Sequence, residues 1–137
     1  MNIKKLDHIG IAVKDLDSAL KLYTDVFKLE IIKIEEHKDL NLKIAFVQVG
    51  EAMLELVQPT GPGSISAKWI EENDEGLYHL ALGVENIKEA LKEMKENGVA
   101  MRDSEPRSGG MGSKVAFSKT DSTNNVNFEF VERPTET

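Results

Sequence analysis

Two histidines and two glutamates recur at matching places along this chain. His8 stands in Asp7-His8-Ile9-Gly10-Ile11-Ala12-Val13, and His79 in Tyr78-His79-Leu80-Ala81-Leu82-Gly83-Val84, an offset of 71 positions (8 to 79). Glu55 stands in Leu54-Glu55-Leu56-Val57, and Glu129 in Phe128-Glu129-Phe130-Val131, an offset of 74 (55 to 129). Two neutral imidazoles with two carboxylates neutralise a divalent cation. The set suits a borderline metal such as Zn, Co or Ni and leaves coordination positions for water or substrate. Without metal, two facing carboxylates repel and one takes up a proton. Taken singly, each residue has a plainer use. A lone histidine on a strand is usually a hydrogen-bonded structural residue, and a lone glutamate between leucines usually marks a solvated face. All four fall on a repeat, and that coincidence favours a metal site.

The repeat extends beyond the histidines. At the same offset of 71, Leu16 falls on Ile87, Ala19 on Ala90, Leu20 on Leu91, and Lys43-Ile44-Ala45-Phe46 on Lys114-Val115-Ala116-Phe117. Each copy reads β-α-β-β-β. In the first, Leu6 to Val13 alternates as a strand, and Asp15 caps a helix whose apolar face is Leu16, Ala19, Leu20, Tyr23 and Phe27. Strands follow at Leu29 to Glu36, Lys43 to Val49 and Ala52 to Val57, with a turn at Asp39 to Leu42. Pro59 to Gly63 breaks the chain, and Ser64 caps a short helix, Ile65 to Asn73. In the second copy, Leu77 to Val84 is the strand. Asn86, with Glu89 three residues on, caps the helix Ile87 to Asn97, and Gly98 ends it. Strands are expected at Val99 to Arg102, Lys114 to Ser118 and Val126 to Val131. The tail from Pro134 is expected to fray.

Alternation then assigns faces. Ile9, Ile11 and Val13 should face the helix, which leaves His8 with Gly10 and Ala12 on the other side. In the echo, Leu80, Leu82 and Val84 face the helix, and His79 sits with Ala81 and Gly83. Small neighbours predict open space beside each histidine. Glu55 and Glu129 point to the same side as the histidines. The expected class is α+β: two tandem β-α-β-β-β units forming one curved mixed sheet that encloses a metal-binding cleft. The chain, residues 1–137, is expected to be a single domain. Its repeat halves are 4–58 and 76–133, joined by a linker and short helix over 59–75.

Several groups are set aside. His37 lacks an echo and lies in a polar run, so it reads as surface. Glu71-Glu72-Asn73-Asp74-Glu75 reads as a solvated helix end, and Trp69 as packing. Gly109-Gly110-Met111-Gly112 has neither a following Gly-Lys-Ser nor a strand-loop-helix context, so it is not a phosphate loop. Either its backbone N–H groups approach a substrate oxygen or it is a flexible turn.

The formal net charge of -7 and pI of about 5.0 argue against nucleic-acid and anionic-membrane partners. The chain lacks cysteine, which removes disulfides, thiolate ligands and thiol nucleophiles. The start of the chain has no apolar signal core and no run is long enough to span a membrane, so a cytoplasmic protein is expected.

The paired units with His8, Glu55, His79 and Glu129 resemble the vicinal oxygen chelate (glyoxalase/bleomycin-resistance) superfamily. Within it, the methylmalonyl-CoA epimerases are the most similar branch. Ser66-Ala67-Lys68-Trp69-Ile70 and Glu105-Pro106-Arg107 with Gly110 through Phe117 carry that likeness, while Asp7 to Val13 and Gly76-Leu77-Tyr78-His79-Leu80-Ala81 resemble many members of the superfamily. The resemblance implies a divalent ion (Co, Zn, Ni or Mn) on His8, Glu55, His79 and Glu129. It implies inversion at C2 of an acyl-CoA thioester by 1,1-proton transfer through a metal-stabilised enolate, with Glu129 both ligand and base. Arg107, Gly110, Gly112 and Lys119 are the implied substrate contacts, and a homodimer is expected. Other activities in the superfamily are a lactoylglutathione lyase with the same ligands and a non-catalytic small-molecule binder. Two departures stand out. A second acid expected on the third strand is replaced by Ile44. The loop before the last strand reads Ser118-Lys119-Thr120-Asp121-Ser122-Thr123-Asn124-Asn125 instead of a His-Pro-Lys-Ser run.

Overall fold

A computed structural model describes residues 1–135. The chain forms two compact units. One is His8–Tyr78, and the other joins Met1–Asp7 to the chain from His79 onward. The strands are β1 (Ile3–Ala12), β2 (Glu30–His37), β3 (Leu42–Val49), β4 (Ala52–Pro59), β5 (Gly76–Val84), β6 (Arg107–Ser108), β7 (Lys114–Phe117) and β8 (Phe128–Glu132). The α-helices are α1 (Leu16–Lys21), α2 (Ile65–Asn73) and α3 (Ile87–Glu96). The class is α+β, as the repeat predicts, and each unit holds a mixed sheet. In both, the first strand runs parallel to the closing strand and the remaining pairs are antiparallel.

In His8–Tyr78 the order is β2-β3-β4-β1. Asp15 caps α1 by accepting from the Ser18 N–H at 3.3 Å. Val13, Leu16, Leu20, Ala45, Val47 and Leu56 form the core beneath the helix, with Ile11, Tyr23 and Leu54 packed against it. The helix does not stay α-helical to Phe27. Leu22–Val26 widens into a π-helical turn, closed by the Phe27 N–H donating to Leu22 O at 3.0 Å. The extra residue rotates Phe27 off the apolar stripe. It ends half exposed, edge-on to Tyr23 at 5.7 Å. Ser64 caps α2 as expected, accepting from the Ala67 N–H at 3.0 Å, and Trp69 packs edge-on against Tyr78. After α2, exposed Asp74 and Glu75 return to Lys14: Asp74 Oδ1 lies 3.0 Å from the Lys14 ammonium, and Glu75 accepts the Lys14 N–H at 2.7 Å.

In the other unit the order is β5-β8-β7-β6. Asn86 accepts from the Glu89 N–H at 3.1 Å, and Gly98, at φ +76°, ends α3 in the left-handed conformation that favours glycine. Val84, Ile87, Ala90, Ala116 and Phe130 pack under the helix. The strand expected at Val99 to Arg102 is reduced to one bridge, Met101 with Ser118. The cause is local. The Phe117 N–H donates to the Asp103 side chain at 2.9 Å, so a carboxylate takes the bond that a backbone carbonyl would need to extend the ladder. Pairing resumes only at β6, two residues long. Pro134 and Thr135 are exposed, and the rest of the tail expected to fray lies outside the described residues.

Candidate metal centre and its surroundings

Register explains how each histidine meets a glutamate. In β1, Gly10 pairs with Glu55 of β4, and His8 lies two residues earlier on the same face. In β5, Ala81 pairs with Glu129 of β8, and His79 lies two residues earlier. The glutamate therefore crosses a glycine or an alanine to reach the histidine. His8 Nε2 is 3.0 Å from Glu55 Oε2, and His79 Nε2 is 3.6 Å from Glu129 Oε1. All four residues are buried, none more than 8% exposed. A Cβ on Gly83 would meet Lys5 and Asp7 at ordinary van der Waals distances of 3.5 to 3.8 Å.

The spacing within each pair tests whether a metal fits. Two ligand atoms each about 2.1 Å from one ion, on neighbouring coordination positions, lie about 3.0 to 3.4 Å apart. The His8–Glu55 pair matches that separation, and the His79–Glu129 pair lies slightly beyond it. Each pair thus presents one imidazole nitrogen and one carboxylate oxygen as adjacent donors, a chemistry that suits a borderline divalent cation.

The helix behind each pair is fixed in the same way. The Leu16 N–H donates to Gln58 Oε1 at 2.8 Å, and the Ile87 N–H donates to Glu132 Oε1 at 3.0 Å. Each acceptor lies three residues beyond the site glutamate on the same closing strand. A side chain from that strand therefore satisfies an orphan N–H at the helix start and ties helix to strand.

The implied substrate contacts fall in the unit that holds His79 and Glu129. The Phe117 ring meets the His79 ring edge-on, 5.3 Å between centroids. The Arg102 and Arg107 guanidiniums lie over the Phe117 ring, 4.4 and 5.5 Å from its centroid, and Arg107 Nε is 3.2 Å from Asp103. Gly110 and Gly112 lie in a one-turn helix, Gly110–Gly112, in which Met111 and Gly112 have positive φ. Hydrogen bonds tie this loop to Ser113 and Arg133. The Gly109 N–H donates to Ser113 O, Ser113 Oγ donates to Gly110 O at 2.8 Å, and Arg133 Nη1 donates to Gly110 O at 3.1 Å. A Cβ on Gly109 would lie 2.6 Å from Ser113 and Val115, so only glycine fits there. Lys119 is exposed, two residues beyond Phe117.

Two features went unread in the sequence. Arg133 forms a bidentate pair with buried Asp7, at 3.2 and 2.6 Å. The Gly110 carbonyl is thereby linked to the residue preceding His8. The only sequence signal was an acid beside the first histidine. His37, expected on the surface, is partly buried: its Nε2–H donates to Glu35 Oε1 at 2.9 Å, and Lys33 Nζ is 3.2 Å from Glu35 Oε2. Alternation along β2 places these three residues on one face, a signal the polar composition of the run concealed.

Residues 7–117 match the Glyoxalase/Bleomycin resistance protein/Dioxygenase superfamily. The chain belongs to this superfamily. Among its relatives, an ethylmalonyl-CoA/methylmalonyl-CoA epimerase of Cereibacter sphaeroides is 32% identical over 117 residues, covering 84% of this chain and 87% of that protein. A hypothetical protein from Bacillus halodurans C-125 has a structure similar at a TM-score of 0.94, with 41% identity over 97% of this chain and 96% of that one. A Streptomyces coelicolor methylmalonyl-CoA epimerase in complex with 2-nitronate-propionyl-CoA superposes at a TM-score of 0.93, with 28% identity over 98% of this chain and 97% of that one. The superfamily match accounts for the two-unit α+β architecture. None of the described helices is long and apolar enough to cross a membrane.

Proposed function

We propose that the chain is a metal-dependent epimerase that inverts C2 of methylmalonyl-CoA or a closely related 2-carboxyacyl-CoA. The observation that carries this reading is the buried His–Glu pair built twice, at 3.0 and 3.6 Å, by the same strand register. In this proposal His8, Glu55, His79 and Glu129 hold one divalent ion, of the class Co, Zn, Ni or Mn. Such an ion supplies Lewis acidity toward the thioester and carboxylate oxygens and so acidifies the carbon between them. Glu129 takes the C2 proton as general base. Phe117, edge-on to the His79 ring, and Ala81, paired with Glu129, keep water away from the His79–Glu129 pair. Arg107 and Lys119 meet the anionic parts of the acyl-CoA, and the tethered Gly110–Gly112 turn offers backbone N–H groups to an acyl oxygen. The epimerase names among the relatives support the substrate class. A cytoplasmic homodimer completes the reading.

The test is deuterium wash-in at C2 of (2R)- and (2S)-methylmalonyl-CoA in heavy water, with and without added Co²⁺, alongside metal analysis of the purified chain. Co²⁺-dependent exchange with inversion is expected, and His79→Ala should lower both metal content and exchange at least about 100-fold. No exchange, together with turnover of methylglyoxal plus glutathione, would assign a lyase instead. Neither activity and no bound metal would leave a binder. Light scattering of the purified chain reads the dimer.

A further inference from the structure

We infer that Glu35 is the second proton-transfer group of this site, in the place that Ile44 leaves without an acid. The inference rests on the epimerase reading above. Inverting a carbon centre by proton transfer needs an acid and a base on opposite sides of that carbon. Glu129 serves one side. On the third strand Ile44 is apolar and buried, and cannot move a proton.

The register of the His8–Tyr78 sheet supplies a carboxylate on the next strand. Glu35 of β2 pairs directly with Ile44 of β3, Ile44 pairs with Val57 of β4, and Val57 pairs with Ala12 of β1. Paired residues share a face, so Glu35 shares the face of Ile44. His8, Gly10 and Glu55 lie on that same face by the period of two along each strand. Glu35 stands one strand beyond Ile44, a step of about 4.8 Å. Burial agrees. Glu35 and His37 are partly buried, whereas Ile34 and Glu36, which point the other way, are exposed.

The carboxylate is also held. His37 Nε2–H donates to Glu35 Oε1 at 2.9 Å, and Lys33 Nζ is 3.2 Å from Glu35 Oε2. Lys33 is largely exposed, and His37 is 24% exposed at its side chain. His37 therefore links an inward carboxylate to solvent. In one direction Glu129 breaks the C2–H bond and takes the proton. The electron pair left on the carbon forms a new C–H bond with the proton carried by Glu35. Glu35 is then a carboxylate and regains a proton from His37, which is resupplied by water, while Glu129 gives its proton to water. The reverse direction exchanges the two roles. His37 is a positioning and relay residue.

The experiment uses the full chain loaded with Co²⁺ and follows epimerisation and C2 deuterium wash-in separately from each isomer. Glu35→Gln is nearly isosteric on a partly exposed edge strand and should keep the melting temperature. It is expected to slow epimerisation about 100- to 10,000-fold, while one isomer still exchanges deuterium without inverting, because Glu129 still serves its own side. Adding Ile44→Glu to Glu35→Gln should restore epimerisation by at least about 10-fold, which a purely structural role for Glu35 does not predict. Epimerisation by Glu35→Gln within about three-fold of the parent overturns the inference and leaves the epimerase reading standing. Equal loss of exchange from both isomers, without rescue by Ile44→Glu, also overturns it. If the parent chain itself exchanges neither isomer, the epimerase reading fails and the inference falls with it.

Discussion

The two repeat copies agree where they build ligands and differ where they meet the outer strand. Both hold a histidine, a small residue two positions on, and a glutamate paired across from that small residue. Both tie the helix start to the closing strand, by Gln58 in one and Glu132 in the other. Beyond this frame they diverge. The first copy has a full outer strand, eight residues long, carrying Lys33, Glu35 and His37 on one face. The second has only a single bridge at Met101 and the two-residue β6, with Arg102 and Arg107 stacked on Phe117. The two copies thus keep the same His–Glu pairing and differ in the charges at their edges. One edge presents a carboxylate beside an imidazole, suited to moving protons. The other presents guanidinium groups, suited to holding an anion.

If the frame is truly equivalent in the two copies, matched substitutions should cost alike. Leu16→Ala and Ile87→Ala remove fully buried side chains at the same repeat position. Each should cost about 2 to 5 kcal/mol in urea unfolding, and the two should agree within about 1 kcal/mol. A large gap would show that one copy carries most of the core. The helix ties are a finer probe. Gln58→Ala and Glu132→Ala each remove an acceptor from a helix-start N–H and should cost about 1 kcal/mol. No loss from one of them would break the equivalence at that point.

The smallest effect should be found where the copies differ. Lys14 of the first copy corresponds to Glu85 of the second, so only the first can hold Asp74. The hydrogen bond from Lys14 holds the Asp74 carboxyl below its ordinary 3.8. A depressed folded-state pKa means that the stabilisation is present above the ordinary value and is lost as pH falls through the lower one. Asp74→Ala should therefore lower the melting temperature slightly at neutral pH. That difference should disappear in strong acid. The pair is largely exposed, so added salt should shrink the effect as well.

Much of this architecture was legible before folding was considered. An offset of 71 positions aligned two histidines, two helix faces and a strand, and alternation put His8, Glu55, His79 and Glu129 on the inward side. Those inferences depend on short-range periodicity, which the chain carries residue by residue. The misreadings share another cause. Phe27 left the helix stripe because one extra residue entered the turn at Leu22–Val26. Val99 to Arg102 failed as a strand because Asp103 took the Phe117 N–H. In each case a single hydrogen bond, made to a partner that sequence spacing does not specify, outweighed the local preference.

By itself, then, the sequence determined the duplication, the α+β class and the identity of the four candidate ligands. Repeat offset and hydrophobic period are properties of the chain, so they can be read without knowing which strands meet. Tertiary structure decided the pairings between strands distant in sequence. It set Gly10 beside Glu55, Ala81 beside Glu129, Arg133 on Asp7, and Glu35 across from Ile44. A shift of one residue in any of these registers would turn a side chain to the opposite face. Which carboxylate meets which partner is therefore settled only when the ladders close.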